Sequence, residues 1–304
     1  MNARNAIPNP YLPRRLFERL HLGSGRASLL RWLAGVLELR WRPSADLAAV
    51  AISWLLVVAA LSSATFLVTA ENGIAYFLLY AIVGATLAGV GIPLAWTTLV
   101  RRRPISDLGI TSRRLAASLV LQAVFFAVQT QGAVSTLAFP GFERLLPLVA
   151  LALAIGLFEA IFWRGWVQQR LEAAFGFVPA LLAGSLLYAA YHIGYGMPFE
   201  EIVFLYVVGL VYGAVFRLTG SVFILWPFLQ PSGQLLTLIR DGLALPPIAA
   251  LGFVEVLAVM LALAWAAHRY HKRGEEGRTG RPSSTRGASA RRRPSTFPNW
   301  SSWN

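Results

Sequence analysis

The chain has 304 residues, of which 56% are hydrophobic and only 13% are charged. Ordinary soluble domains carry about a quarter charged residues, so this composition predicts a membrane protein. The chain contains no cysteine, which excludes disulfides, thiolate metal sites and a cysteine nucleophile. Its formal net charge of +13 would suit a nucleic-acid partner, but the positions of the charges along the chain indicate membrane topology instead.

The N-terminal residues 1–45 are predicted to form a basic cytoplasmic arm. Residues 29–41 have an apolar face compatible with an amphipathic helix on the inner leaflet, although the charge pattern fits a poorly ordered arm equally well. No short apolar stretch followed by a small-residue cleavage site precedes the first span, so we expect no removable signal peptide.

Eight apolar runs of 17 to 31 residues follow, and about 20 residues are enough to span a bilayer. They predict an all-α fold, a polytopic membrane helix bundle of about eight transmembrane helices within residues 46–268. Beyond it, residues 269–304 are too poor in apolar residues to build a core and are predicted to be a disordered basic cytoplasmic tail. The predicted spans are 47–70, 74–100, 115–138, 145–175, 178–195, 202–218, 222–239 and 245–267.

The arginines alternate between the turns that connect these spans. Lys and Arg collect on the cytoplasmic side of membrane proteins, and the outer turns hold only Arg144 and Arg240. We therefore predict a multi-pass protein of the cell inner (plasma) membrane with both termini cytoplasmic, in contact with the lipid bilayer and with no nucleic-acid partner. The arginines of the inner turns are Arg101, Arg102, Arg103, Arg113, Arg114, Arg170 and Arg217.

Two charged residues lie inside the fourth span, in the stretch LFEAIFWRGW at residues 157–166. A charge at the centre of a membrane helix costs roughly 2.5 to 3.5 kcal/mol, so intramembrane acids usually face the protein interior and have a function there. Glu159 is therefore the first candidate site residue. Arg164 has two interpretations, because its tryptophan neighbours also suit an interfacial residue whose head group reaches water.

The fifth span contains His192, the only one of the four histidines inside a predicted helix. If spans four and five form an antiparallel hairpin that turns near residue 176, Glu159 and His192 both lie about 25 Å from the turn, at 1.5 Å per residue. A carboxylate beside an imidazole in a membrane-embedded site can act on water as a general base. The same geometry continues the fourth helix past Arg164, which then points into the bundle.

Other hydrolase chemistries find less support in the sequence. We predict no cofactor and no metal ligand, because neither H-E-x-x-H nor a Cys/His cluster occurs. A serine protease is also disfavoured, because Ser185 lacks a G-x-S-G pattern and shares one helix with His192. A serine there is expected to serve helix packing.

At residues 105–240 the sequence resembles the CAAX-processing and bacteriocin-processing (CPBP, also called Abi) intramembrane proteases. The family's Glu-Glu-x-x-x-Arg-Gly motif is matched from Glu159 to Gly165, with Ala160 in place of the second glutamate. Its Phe-x-x-x-His motif is similar to Tyr188–His192. A lead-in resembles SDLGI at 106–110, and a third region matches Thr219, Gly220, Ser221 and Pro227, with Gln230 and Gln234 at the spacing of the family's His-x-x-x-Asn.

The resemblance implies an intramembrane endopeptidase that hydrolyses a peptide bond of a membrane-delivered protein or peptide. By this likeness Glu159 is the base, His192 is its partner, and Arg164 orients or pairs with the acid. Gln230 and Gln234 stand where the family stabilises the oxyanion, and a glutamine amide can donate such a hydrogen bond. The family likeness also admits a metal, which glutamine at these two positions disfavours.

Two other functions remain open at this point. A catalytically degenerate member would keep the bundle as a scaffold, immunity or binding protein, with Glu159 and Arg164 in a structural ion pair, since breaking a buried pair costs about 3 to 5 kcal/mol. A small transporter is the third possibility, because Glu255, Gln122 and Gln129 could line a polar pathway.

Overall fold

In a computed structural model of the protein, residues 35–68, 72–132 and 140–279 are described. This part of the chain is all-α, as the sequence predicts, and eight helices correspond to the eight predicted spans. Two short 3₁₀ turns, Ile105–Leu108 and Val222–Ile224, connect them. The helices are α1 Ala45–Leu67, α2 Gly73–Val100, α3 Leu115–Thr130, α4 Phe142–Phe175, α5 Phe177–Tyr195, α6 Phe199–Thr219, α7 Leu229–Arg240 and α8 Ala249–Thr279.

Six of these helices, all except α3 and α7, are long and apolar enough to cross a membrane. The chain is therefore a multi-pass membrane protein. The seventh predicted span is shorter than expected, because its first part forms the Val222–Ile224 turn and α7 begins only at Leu229. The end of the third predicted span, and most of the N-terminal arm and the C-terminal tail, lie outside the described residues.

Helix α4 occupies the centre of the bundle. It packs against α2, α5, α7 and α8, and every residue from 156 to 171 is buried. Within it, residues Ala160–Gln168 form a π-helical segment, a form with i→i+5 hydrogen bonds that is rare and often found at functional sites. Any polar side chain in this stretch is enclosed by protein and must find its partners there.

The segment just before α1 lies along the turn between α4 and α5. The Arg40 N–H donates to the Phe175 carbonyl at 3.1 Å, and the Arg42 N–H donates to the Ala174 carbonyl at 2.9 Å. These bonds satisfy carbonyls that the end of a helix leaves without intrahelical donors. Residues 35–37 are helical and residues 38–44 are not, so the described part of the predicted amphipathic stretch 29–41 is helical only at its beginning and continues as a non-helical strap, residues 38–44.

Ion pairs join several helix ends at the same end of the bundle. Arg101, after α2, pairs with Asp46 at the start of α1 with a nitrogen–oxygen distance of 2.7 Å, and Arg217 in α6 pairs with Glu172 in α4 at 3.1 Å. Arg170 differs from them, because it is buried. Its guanidinium lies 4.9 Å from the centre of the Trp166 ring.

Candidate active site

Glu159 lies in the centre of α4 with 1% of its surface exposed. Its carboxylate accepts a hydrogen bond from the Tyr191 hydroxyl at Oε1. At Oε2 it accepts from Gln230 Nε2 at 2.6 Å and from Gln234 Nε2 at 3.3 Å. The Tyr188 hydroxyl lies 3.5 Å from the same oxygen, so all four groups around the acid are uncharged donors.

Helix α7 reaches this carboxylate because α4 has a glycine one turn before it. A Cβ on Gly156 would lie 2.6 Å from Pro231 Cγ, so only glycine allows α7 this close approach. Gln230 and Gln234 are four residues apart and therefore share one face of α7. The structure thus brings together three of the five predicted site residues, Glu159, Gln230 and Gln234.

The α5 helix contributes a row of tyrosines that sequence reasoning did not use as site residues. Tyr188, Tyr191 and Tyr195 are spaced by three and four residues, which places them on one helical face. Tyr188 and Tyr191 contact Glu159, whereas the Tyr195 hydroxyl donates to the Tyr80 hydroxyl at 3.1 Å. The periodic pattern in YAAYHIGY is the signal that could have identified them.

His192 is buried close to Glu159 but forms no hydrogen bond with it in the described structure. Its Nδ1 lies 2.8 Å from the Tyr188 carbonyl, an acceptor, so Nδ1 carries the proton and Nε2 keeps its lone pair. The imidazole contacts the Tyr191 ring with centroids 4.1 Å apart. The hairpin therefore places His192 next to the acid's tyrosine donor and not next to the acid itself.

Arg164 points into the bundle, as the hairpin geometry predicts, and only 1% of its surface is exposed. The predicted pairing with Glu159 is not formed within the described residues. Arg164 Nη1 donates to Gln168 Oε1 at 3.3 Å, and the guanidinium lies 5.3 Å from the centre of the Tyr188 ring. The side chain extends toward α6, where Nη1 would lie 3.4 Å from a Cβ on Gly213, and it makes no direct contact with the carboxylate.

Ala160 occupies the position of the family's second glutamate. Its methyl group is buried in an apolar cluster with Tyr212, Ile224 and Leu225. A carboxylate here would be buried among mainly apolar side chains, which is unfavourable unless it is hydrogen-bonded. Alanine is therefore the residue type that this packing accommodates.

The residues around Glu159 do not fit a metal site. Within the described residues no three His, Cys, Asp or Glu side chains converge. Gln230 and Gln234 direct amide N–H groups toward the carboxylate, and N–H donors cannot coordinate a cation. His192 donates from Nδ1 to a backbone carbonyl, which leaves Nε2 as one further candidate ligand. One carboxylate and one imidazole still fall short of the three protein ligands that a catalytic zinc usually has.

The other family-like motifs form the backbone framework that supports this part of α4. A Cβ on Gly165 would lie 2.2 Å from the Leu108 carbonyl oxygen, so the SDLGI segment contacts α4 directly. The Val222 N–H donates to the Gly109 carbonyl at 3.0 Å, and the Ser221 hydroxyl donates to the Thr111 carbonyl at 3.1 Å. The lead-in and the third region are thus joined by hydrogen bonds.

The three polar residues that the transporter hypothesis requires do not lie along one common pathway. Glu255 is on an exposed face of α8, whereas Gln122 and Gln129 are on α3. Gln129 links helices, since its Nε2 donates to the Leu229 carbonyl at 2.9 Å and its Oε1 accepts from the Tyr212 hydroxyl at 2.8 Å. Their positions in the described structure give the transporter hypothesis no support.

The family model described as type II CAAX prenyl endopeptidase Rce1-like matches residues 141–228. This segment covers α4, α5 and α6 and includes Glu159, Arg164 and His192, but it ends before Gln230 and Gln234. No curated protein matches the chain. The resemblance to the CPBP intramembrane proteases is therefore confirmed over the matched segment, and the match supports an intramembrane endopeptidase at the level of the family.

Proposed function

We propose that this protein is an intramembrane endopeptidase in which Glu159 activates a water molecule to hydrolyse a peptide bond of a membrane-delivered protein or peptide. The observation that carries the proposal is the arrangement of Glu159 and Gln230. Gln230 Nε2 holds one carboxylate oxygen at 2.6 Å, while Gln230 Oε1 is buried and has no partner among the described residues. A water molecule can therefore donate one hydrogen to Gln230 Oε1 and the other to Glu159.

The proposed reaction needs only the groups of this cluster. Oε1 of Glu159 accepts one hydrogen bond, from Tyr191, and has a further lone pair for the proton of the water. The water oxygen attacks the substrate carbonyl carbon as Glu159 takes this proton. When the C–N bond breaks, Glu159 returns the proton to the leaving amine, so that atoms and charge balance. No metal or other cofactor takes part in this proposal.

The remaining predicted site residues have supporting roles in this mechanism. Gln234 Nε2 donates to Glu159 Oε2 over 3.3 Å, a longer and weaker hydrogen bond than that of Gln230. Its N–H can therefore turn to the developing oxyanion, where one such donor is worth about 10²- to 10³-fold in rate. His192 positions Tyr191 through the contact between their rings. Arg164 positions Tyr188, over whose ring its guanidinium lies.

The test is cleavage of a library of membrane-spanning peptides by purified protein, read by mass spectrometry. Glu159→Gln removes the base with little change in size, and we expect kcat/KM to fall about 10²- to 10⁴-fold. Glu255→Gln is the matched control, because it makes the same chemical change at an exposed acid on α8, and it should cleave like wild type. Unchanged cleavage in Glu159→Gln would contradict the mechanism.

His192→Ala and Glu159→Ala extend the test, with thermal stability measured alongside. A positioning role predicts that His192→Ala reduces kcat/KM less than Glu159→Gln does. Partial recovery in His192→Phe, which keeps a ring against Tyr191, should follow. Equal losses in His192→Phe and Glu159→Gln would instead assign the imidazole a direct part in proton transfer.

A scaffold or binding protein is the second candidate function. It is favoured by the enclosure of Glu159, whose carboxylate is 1% exposed and surrounded by donors as a structural group would be. In that case no peptide is cleaved even by wild type, and Glu159→Ala chiefly lowers the unfolding temperature. The two candidates are thus separated by the same set of variants.

The protein is further proposed to lie in the cell inner (plasma) membrane with both termini cytoplasmic. The ion pairs of Arg101 and Arg217 join helix ends at one end of the bundle, where the positive-inside rule puts the cytoplasm. Because the chain has no cysteine, single cysteines in Ser112→Cys and Asp241→Cys report the two sides. A membrane-impermeant maleimide added outside cells should label only Asp241→Cys, and the reverse pattern would invert the topology.

A further inference from the structure

The inner face of α3 carries two polar side chains whose hydrogen-bonding groups are unused. Ser118 and Gln122 are the buried residues of this helix, and both are fully enclosed. Neither the Ser118 hydroxyl nor either polar atom of the Gln122 amide has a hydrogen-bond partner among the described residues. Buried amides are nearly always paired because an unpaired one is unfavourable. These groups therefore point to a ligand.

The same helix shows how a paired glutamine behaves. Gln129 lies seven residues after Gln122, on the same helical face. Its amide donates to the Leu229 carbonyl at 2.9 Å and to the Ser232 hydroxyl at 3.0 Å. Side chains thus hydrogen-bond the Gln129 end of α3 to the bundle, whereas Ser118 and Gln122 make no such bonds among the described residues.

The unpaired groups lie near the candidate active site. Leu121 and Phe125, which flank Gln122 along the helix, pack against the apolar cluster that contains Ala160. On the same face of α3, toward its C-terminal end, Gln129 donates to the carbonyl of Leu229, the residue before Gln230. Seven residues of helix correspond to about 10 Å, which is the length of about three residues of extended peptide. A peptide bound at the Glu159 level can therefore extend along α3 to Gln122.

We propose that Gln122 and Ser118 bind the main chain of the peptide substrate when this end of α3 moves away from the bundle, an inference that rests on the proteolytic function proposed above. A primary amide can pair with both the C=O and the N–H of one peptide unit, and a hydroxyl adds a further donor. Main-chain pairing does not depend on side-chain identity. The site consequently selects an extended, unfolded segment of a membrane protein.

Gln122→Leu tests this site, because leucine is similar in size and has no polar atom. Removing a buried unpaired amide is expected to stabilise the protein and to raise its unfolding temperature by about 2 to 4 °C. The same change should raise KM for peptide cleavage about tenfold, with a smaller effect on kcat. Val124→Leu alters the exposed face of the same helix and should leave both quantities unchanged.

A binding measurement separates this inference from the catalytic proposal. Membrane-spanning peptides that carry a photoreactive residue are crosslinked to Glu159→Gln and to the double variant Glu159→Gln/Gln122→Leu. We expect crosslinking to the first and at least tenfold less to the second. Equal crosslinking, no crosslinking to either, or a fall in unfolding temperature together with the loss of binding would each overturn the site. If no variant cleaves peptides, the catalytic proposal fails and crosslinking alone decides.

Discussion

Replacing Gly165 by alanine should destabilise the protein more than its small size change implies. Gly165 lies in the buried stretch of α4, against the backbone of the SDLGI segment. An alanine Cβ at this position would lie 2.2 Å from the Leu108 carbonyl oxygen and 3.0 Å from its carbonyl carbon. Ordinary contacts of a Cβ are 3.4 Å or longer, so one of the two backbones must move by more than about 1 Å.

The cost follows from what holds the SDLGI segment in place. The Gly109 carbonyl accepts from the Val222 N–H at 3.0 Å, so a shift of Leu108 also strains this hydrogen bond. Overpacking costs about 1 to 3 kcal/mol, and a weakened hydrogen bond costs about 1 kcal/mol. The helix preference of alanine over glycine offsets about 0.5 to 1 kcal/mol. The net loss is about 1 to 3.5 kcal/mol, or a fall in unfolding temperature of about 2 to 14 °C.

Gly184→Ala is the matched control, because Gly184 is also buried and helical but has space around it. Its nearest atoms to a new Cβ are Leu171 Cδ1 at 3.7 Å and Gln168 Cα at 3.9 Å. Helix preference then dominates, and stability should rise by about 0.5 to 1 kcal/mol. Thermal unfolding in nanodiscs, followed by tryptophan fluorescence, measures both variants. Equal unfolding temperatures for Gly165→Ala and Gly184→Ala would refute the close-approach argument.

Three further outcomes are expected. Tyr191→Phe removes the donor to Glu159 Oε1, worth about 1.5 to 3 kcal/mol for a hydrogen bond to a charged group, and should lower both unfolding temperature and peptide cleavage. Tyr195→Phe removes a hydroxyl that donates to Tyr80 and not to Glu159, so it should reduce cleavage much less than Tyr191→Phe does, and equal loss in both variants would contradict the role of Tyr191. Gly176→Ala should expose the strap before α1 to limited proteolysis, because Gly176 has φ +91° and its Cβ would overlap that backbone; an unchanged digestion pattern would count against this. Treatment with EDTA should leave any cleavage unchanged, measured with the same peptide library, and its loss would require a metal.

The helices were predictable because the bilayer imposes a simple rule. A membrane-spanning segment must satisfy its own backbone hydrogen bonds, so long apolar runs become helices wherever they occur. The six helices that are long enough to cross a membrane follow from this rule. Helix α7 does not follow this rule, because a short amphipathic helix that packs against α4 through Pro231 and Gly156 need not span the bilayer. Its true start at Leu229 depends on packing that hydropathy does not record.

The sequence by itself determined that Glu159 is buried, because a charge in an apolar span is placed inward by its solvation cost. The family resemblance also assigned Gln230 and Gln234 to the same site, because they stand at the spacing of the family's third motif. Only the tertiary structure decided the partners: two tyrosines of α5 surround the acid, Arg164 turns to Gln168, and His192 lies behind Tyr191. These contacts depend on side-chain direction and on the distance between helices, and neither is encoded in the local pattern of residues.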